Sequence, residues 1–335
     1  MSSAIVFDTP GAPDVLRWEA VEPVAPGPDD VVIAVQAAGV NNADLMQRRG
    51  RYPLRPDAPK TLGLECAGTI AAVGADVTGW SIGDEVCALL DGGGYADEVV
   101  VRGSQVMRVP SGVSLIEAAA IPEVACTVYS NLAMIAGVTA GRAVLIHGAG
   151  GGIGTFAIQW ASAIGADVIT TAGSDEKTRA GVDLGARVAI NYRAEDFVAA
   201  CMAATGGRGV DAILDVVGSD YLTRNIECLA PDGHLVVIGG SVEPAPLDLG
   251  LLMSKRASVT ATMLRGRPAA QKAAIVEGVT RDVLPLFESG AIRVVVDTVV
   301  PMPDAARAHT LLESKATVGK IILDNRRRSV DVDPI

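Results

Sequence analysis

A chain of 335 residues exceeds what one hydrophobic core usually sustains, so two domains are expected. With 49% apolar and 20% charged residues it is globular rather than disordered, and a net charge of −11 argues against a nucleic-acid or anionic-membrane surface. Five scattered cysteines without a C-x-x-C pair argue against a zinc knuckle or redox dithiol and suit a reduced, cytoplasmic setting. The N-terminus has neither the basic nor the long apolar region of a signal peptide, no apolar run is long enough to cross a bilayer, and the tail from Arg326 onward reads as a frayed, solvated end.

Residues 1 to about 120 read as β-rich, with strands predicted over 31–37, 66–74, 83–88 and 95–101. Short strands with Gly and Pro between them suggest a partly open barrel. From about 123 to 260 the pattern changes. Continuous apolar strands over 144–147, 167–171, 188–191, 212–216 and 235–238 alternate with helical stretches, which indicates a doubly wound parallel sheet covered on both faces. Beyond about 262 come a helix over 268–289, a strand over 293–300, a helix over 303–314 and a strand over 319–323. This last part is expected to return to the first domain, giving a division at 1–122, 123–262 and 263–335 with the active site in the cleft between domains.

The most informative segment lies inside the second unit. The apolar run Ala143-Val144-Leu145-Ile146-His147 enters Gly148-Ala149-Gly150-Gly151-Gly152-Ile153-Gly154, and a helical pattern leaves it. The glycines permit unusual backbone angles and leave no side chain to block a phosphate. The helix start offers unpaired N–H groups and a partial positive charge. Strand, glycine turn and helix together form a dinucleotide-binding unit in which G-x-G-x-x-G becomes Ala149-x-Gly151-x-x-Gly154, with Gly151, Gly152, Ile153 and Gly154 as cofactor contacts. The strand ends Val217-Gly218 and Ile238-Gly239-Gly240 open toward the same edge, although they also read as simple turns. His147 falls inside the phosphate turn and His234 at a strand start; neither has a Ser or Cys partner, which disfavours a hydrolase.

Several segments together resemble the zinc-free quinone oxidoreductase family of the medium-chain dehydrogenase/reductase superfamily, in particular the subgroup typified by the tumour-suppressor-inducible quinone oxidoreductases. They are Ala38-Gly39-Val40-Asn41-Asn42-Ala43-Asp44-Leu45-Met46-Gln47-Arg48, Gly63-Leu64-Glu65-Cys66-Ala67-Gly68, Ala118-Ala119-Ala120-Ile121-Pro122-Glu123, the glycine loop and Val318-Gly319-Lys320-Ile321-Ile322-Leu323. The resemblance implies a GroES-like β-barrel catalytic domain, a Rossmann domain, NADPH, and a homodimer or homotetramer. In the zinc-dependent sister family a Cys, a Gly-His-Glu motif and a second Cys bind catalytic zinc. Here Asn41, Leu64 and Glu123 stand at those places. Asn and Leu cannot replace thiolate and imidazole, so no metal is expected. Without a Lewis acid the expected acceptor is a quinone or an enone rather than an alcohol.

An NAD-preferring site carries Asp or Glu at the end of the second strand. Here Ala172 and Gly173 leave room for a 2′-phosphate, with Ser174, Lys177 and Tyr192 as donors; the resemblance assigns these three as its clamp. The competing reading makes Asp175 or Glu176 the ribose acid and predicts NADH. The resemblance further places Asn41 and Thr127 near the nicotinamide and its ribose, and Met263, Leu264 and Lys320 as segments closing over it. As a lysine, Lys320 reads by default as a surface residue. Tyr52 is the candidate for lining the acceptor pocket and bonding a carbonyl oxygen, with Asn41 helping to orient it; Tyr52 reads equally as a barrel-edge aromatic. Many family members carry a second Tyr where this chain has Met46. Three functions stay open: a quinone oxidoreductase working by hydride or single electrons, an enoyl or enone reductase, and a non-catalytic NADPH-binding protein.

Overall fold

The computed structural model describes residues 2–52 and 59–326. Tyr52 is therefore described, whereas Pro53 and the tail from Arg327 lie outside the described residues. Two sheets organise the chain. The first is built from β3 (Asp30–Gly39), β4 (Glu65–Val73), β5 (Glu85–Leu89), β6 (Glu98–Arg102) and β7 (Val106–Arg108), after a hairpin of β1 (Ser2–Val6) and β2 (Arg17–Val21). The second contains β8 (Ala143–His147), β9 (Asp167–Ala172), β10 (Val188–Asn191), β11 (Val210–Asp215), β12 (Leu229–Val237) and β13 (Ser258–Ala261). Finally β14 (Val296–Pro301) and β15 (Lys320–Asp324) rejoin the first sheet.

In the first sheet the ten-residue β3 is the organiser. Its start, Asp30–Ala34, pairs with β6, its end pairs with β15 through Gly39↔Ile322, and β4 runs along its other side. Such a strand needs apolar residues on both faces, and Val31, Val32, Ile33, Val35, Ala37 and Ala38 supply them, all buried. The return of β15 brings a residue from position 320 beside residues from positions 39–41.

The second sheet is parallel throughout, in the order β10-β9-β8-β11-β12-β13. The order reverses between β8 and β11, so the loops after these two strands open a crevice at their carboxyl ends, where doubly wound sheets bind ligands. The glycine segment follows β8 and Val217-Gly218 follows β11. One buried apolar cluster runs from Ala37, Ala67 and Leu89 of the first sheet through Ala118–Ile121, Val124 and Ala125 to Val144, Ile146 and Leu214 of the second. Helix Pro122–Val128 and helix Ala269–Asp282 contribute to it from between the sheets. We propose the division of the chain near residues 122 and 262.

The helix predicted over 268–289 is two helices, Ala269–Asp282 and Leu284–Glu288. Pro285 lies in the first turn of the second; it has no N–H to continue the ladder, so the chain turns at Val283. The strand predicted from 293 begins only at Val296. His147 is the last residue of β8 rather than part of the turn. It is fully buried between Thr171 Oγ1 at 2.9 Å and Asn225 Oδ1 at 2.8 Å, and burial pushes its imidazole down to about 4.

Gly154 packs its backbone against the turn that precedes it; a Cβ there would lie 2.0 Å from the carbonyl oxygen of Gly148. Gly239 faces open space. Gly154→Ala is expected to lower unfolding stability by about 2 kcal/mol through overpacking, whereas Gly239→Ala stays within about 0.5 kcal/mol of the parent. Urea unfolding of the two variants checks this, and equal midpoints would refute the packing argument.

Candidate active site

The dinucleotide crevice starts at Gly148, whose φ of +84° is left-handed and suits only glycine without strain. The amides of Gly148 and Ala149 both donate to the Thr171 carbonyl, at 3.0 and 2.9 Å, which locks the turn onto β9. Gly151 is the extended N-cap of helix Gly152–Ala163 and offers no side-chain cap, so the first helix amides are left for a ligand.

Behind this turn lies a buried polar chain that the sequence did not disclose. Asp215, at the end of β11, accepts hydrogen bonds from the amides of Val217 at 2.6 Å and Gly218 at 3.1 Å, and from Asn225 Nδ2 at 3.1 Å. Asn225 continues to His147, and His147 to Thr171. Burial lifts the Asp215 carboxyl to about 6, against these bonds. The chain ties together the ends of β8, β9 and β11. Gly218, at φ +81°, then bridges to Ser241, which sets the approach of Ile238, Gly239 and Gly240.

At the end of β9, Ser174 caps helix Asp175–Asp183 by accepting from the Lys177 amide at 3.4 Å. The Lys177 side chain crosses the glycine loop, its Cδ 2.7 Å from where a Cβ on Gly150 would stand, and Nζ donates to the Lys315 carbonyl at 2.6 Å. The Tyr192 hydroxyl hangs over Gly173, 2.5 Å from a Cβ built there, with Arg193 Nε 3.5 Å from the same point. Arg193 directly follows Tyr192, and that adjacency was the signal available in the sequence. Asp175 Oδ1 accepts from Asn191 Nδ2 at 2.7 Å.

The opposite wall is built on Glu65, which β4 carries fully buried. Its carboxylate takes three donors from three distant places: Asn41 Nδ2 at 2.9 Å, the Glu123 amide at 2.9 Å and Lys320 Nζ at 2.5 Å. Lys320 Nζ also donates to Asn41 Oδ1 at 2.6 Å. Lys320 is thus a buried partner, 5% exposed, which corrects the default surface reading. Gly39 is glycine for a reason visible here: a Cβ would stand 2.2 Å from Glu65 Oε1. Asp44 lies fully buried beneath Asn41 and accepts from the amides of Asn41 at 2.9 Å and Gly63 at 3.0 Å and from the Tyr95 hydroxyl at 3.1 Å. It fixes the loop, and burial raises it to about 6.

Around this floor stand Glu123, Tyr52, Arg265, Thr127 and Leu264. Glu123 is the second residue of helix Pro122–Val128 and half-buried. Burial, and then the neighbouring Glu65, push its carboxyl up to about 8. The half-buried Tyr52 ring has the Arg265 guanidinium 5.4 Å from its centroid; burial, then Glu123, lift its phenol to about 12. Arg265 is 7% exposed and donates Nε to the Asp91 carbonyl at 2.7 Å and Nη1 to Gln47 Oε1 at 2.6 Å. Thr127 and Leu264 are buried, while Met263 is 46% exposed. The two walls meet where the Gly319 amide donates to the Gly150 carbonyl at 2.9 Å, beside Lys320. Glu123 and Arg265 were missed as site residues. The Glu123 signal was its place in the Pro122-Glu123 helix start; Arg265 carried none beyond adjacency to Leu264.

Among the described residues no group of three or more His, Cys, Asp or Glu side chains converges as a metal site, and no helix is long and apolar enough to cross a membrane. Leu64 is a core residue, 1% exposed.

Residues 27–111 match the family model described as alcohol dehydrogenase GroES-like domain, and residues 152–278 match the one described as zinc-binding dehydrogenase. The chain is 33% identical over 326 residues to a quinone oxidoreductase of Pseudomonas aeruginosa, covering 96% of this chain and 99% of the relative. It is 32% identical to a 2-haloacrylate reductase of Burkholderia sp, with the same coverage. The crystal structure of Escherichia coli quinone oxidoreductase complexed with NADPH superposes with a TM-score of 0.84 at 32% identity, over 96% of this chain and 99% of that one. The chain belongs to the quinone oxidoreductases of the medium-chain dehydrogenase/reductase superfamily.

Proposed function

We propose that the chain is an NADPH-dependent quinone oxidoreductase that works without zinc. The observation that carries this reading is the floor of the cleft. Alcohol oxidation in the zinc-dependent relatives requires a Lewis acid there, and here the cation beside Glu65 is the Lys320 ammonium. Asn41, Leu64 and Glu123 occupy the positions of the zinc ligands, and all three lie outside the residues matched by the model whose description mentions zinc.

The residues that would hold NADPH are those of the crevice. Gly151, Gly152, Ile153 and Gly154 present helix amides to the pyrophosphate; Ser174, Lys177, Tyr192 and, in addition, Arg193 surround the place of a 2′-phosphate; Val217, Gly218, Ile238, Gly239 and Gly240 border the cofactor edge. Asn41, Thr127, Met263, Leu264 and Lys320 bound its nicotinamide end. When bound, NADPH supplies a hydride; the protein contributes position and exclusion of water. Asn41 has both ends of its amide held by Glu65 and Lys320, so it acts as a fixed wall. Tyr52 lines the acceptor pocket. The 2-haloacrylate reductase among the relatives favours enones as a second class of acceptor. We further propose a cytoplasmic homodimer or homotetramer. The five cysteines are free and buried, and the edge strand β13 is neighboured in sequence by exposed Leu249 and Met253.

Turnover of 9,10-phenanthrenequinone or 1,4-benzoquinone with loss of NADPH absorbance tests the reading, beside crotonyl thioesters for the enone alternative. The purified protein is expected to hold substoichiometric zinc and to keep its full rate after incubation with 1,10-phenanthroline; a chelator-sensitive rate would contradict the metal-free assignment. Lys177→Ala removes one charged donor worth about 1.5–3 kcal/mol, so NADPH affinity is expected to fall roughly 10- to 100-fold with NADH affinity unchanged. Equal losses for the two cofactors would overturn the phosphate clamp.

A further inference from the structure

Three carboxyls face the floor of the cleft, and they are not equivalent. Glu65 is saturated by Asn41, Lys320 and the Glu123 amide. Asp44 is saturated by two amides and the Tyr95 hydroxyl. The Glu123 carboxyl takes part in no hydrogen bond or ion pair with any described residue. It is held in place from behind, because its own backbone N–H is bound by Glu65 Oε2. The groups around it are Glu65, Lys320, Asp44 and Lys272, with Tyr52 and Arg265 across the cleft and Cys126 on its own helix. Arg265, whose guanidinium stands 5.4 Å from the Tyr52 ring centroid, has a buried Nη2 without an acceptor among the described residues, placed 3.1 Å from where a Cβ on Gly92 would stand. A positive group with unused N–H suits an oxygen that gains negative charge during the reaction.

Resting on the reading of this cleft as an NADPH-dependent reductase, we propose that Glu123 is the proton donor that completes reduction of the acceptor. Hydride addition to a quinone, with NADPH as the two-electron reductant, leaves a hydroquinone monoanion. The O–H bond of the Glu123 carboxylic acid breaks, an O–H bond forms on the acceptor oxygen, and Glu123 is left as a carboxylate. A proton from solvent restores it before the next cycle. With an enone the same proton neutralises the enolate. The environment supports the assignment. Burial and the fixed negative charge of Glu65 oppose a second charge, outweighing Lys320 and Lys272, so the carboxyl holds its proton to about pH 8. The Tyr52 phenol, lifted to about 12, is the poorer donor at neutral pH. The anion left on Glu123 is stabilised by the same two lysines.

The linkage has a definite sign. The folded carboxyl titrates above its ordinary value of 4.5, so its contribution to stability is complete below pH 4.5 and is lost as pH rises toward about 8. Glu123→Gln removes that loss, and the variant is expected to gain stability over the parent at pH 9 while matching it more closely at pH 5.

The test combines the wild-type protein and Glu123→Gln. Wild-type kcat with 9,10-phenanthrenequinone is expected to fall as pH rises through about 8. Glu123→Gln is expected to be about 100-fold slower at pH 7, to lack that alkaline limb and to keep its NADPH affinity. In infrared spectra of the wild type without acceptor, a protonated carboxyl C=O band is expected at pH 7 and fades near pH 8; Glu123→Gln lacks it. This last measurement stands even if the variant folds poorly. A variant with the parental rate and pH limb, or a wild type without the titrating band, overturns the proposal. A wild type that reduces neither quinone nor enone defeats the reductase reading and this proposal with it, whereas loss of the band alone defeats only the proposal.

Discussion

One buried charge organises this molecule. Glu65 has no exposed surface, and an isolated carboxylate in such a place is prohibitively unfavourable. It is tolerated because Lys320, itself nearly buried, brings an ammonium within 2.5 Å, and because Asn41 and the amide of Glu123 satisfy its remaining lone pairs. These partners come from the N-cap of the helix Asn42–Arg48 that follows β3, the start of helix Pro122–Val128 and the strand β15. The ion pair therefore closes a loop of 255 residues in sequence, from position 65 to position 320. Lys320 supplies the positive charge that Glu65 needs.

The same pair reaches the second domain. Gly319 donates to Gly150, and Gly152 leaves space into which the Lys320 stem fits, 2.4 Å from where a Cβ would be. The phosphate turn is thus braced from the front by the lysine strand and from behind by the chain Thr171–His147–Asn225–Asp215. Both supports are polar and desolvated, so each depends on all of its members. A cleft braced on two sides meets a flexible dinucleotide with little reorganisation, which is how a protein contributes to a reaction whose chemistry resides in its cofactor. Of the carboxyls of Glu65, Asp44 and Glu123, only that of Glu123 is left without a hydrogen-bond partner among the described residues.

The fold was largely legible in the sequence. Apolar strands alternating with helices indicated a parallel sheet, and the glycine turn located its crevice, because both are local patterns. The return of the last strands to the first sheet was also readable, from the change of pattern beyond 262. The helix over 268–289 was misjudged, since Pro285 within an otherwise helical pattern was passed over. In the site, the glycines could be named from their spacing, whereas the cluster Ser174, Lys177 and Tyr192 was named through the family resemblance. Lys320 could not be read as buried, because its counter-charge lies 255 residues away. The roles of His147, Asn225 and Asp215 were hidden for the same reason: only the sheet order brings them together. Glu123 was noticed merely as a residue that is not cysteine, and its own chemistry emerges only beside Glu65.

The most direct test of this account is a double-mutant cycle of Glu65→Gln and Lys320→Met, read by urea unfolding. If the pair is the keystone, each single variant loses about 3–5 kcal/mol by leaving a charge buried alone, and the double variant loses clearly less than the sum. Strictly additive losses, or single variants as stable as the parent, would contradict it.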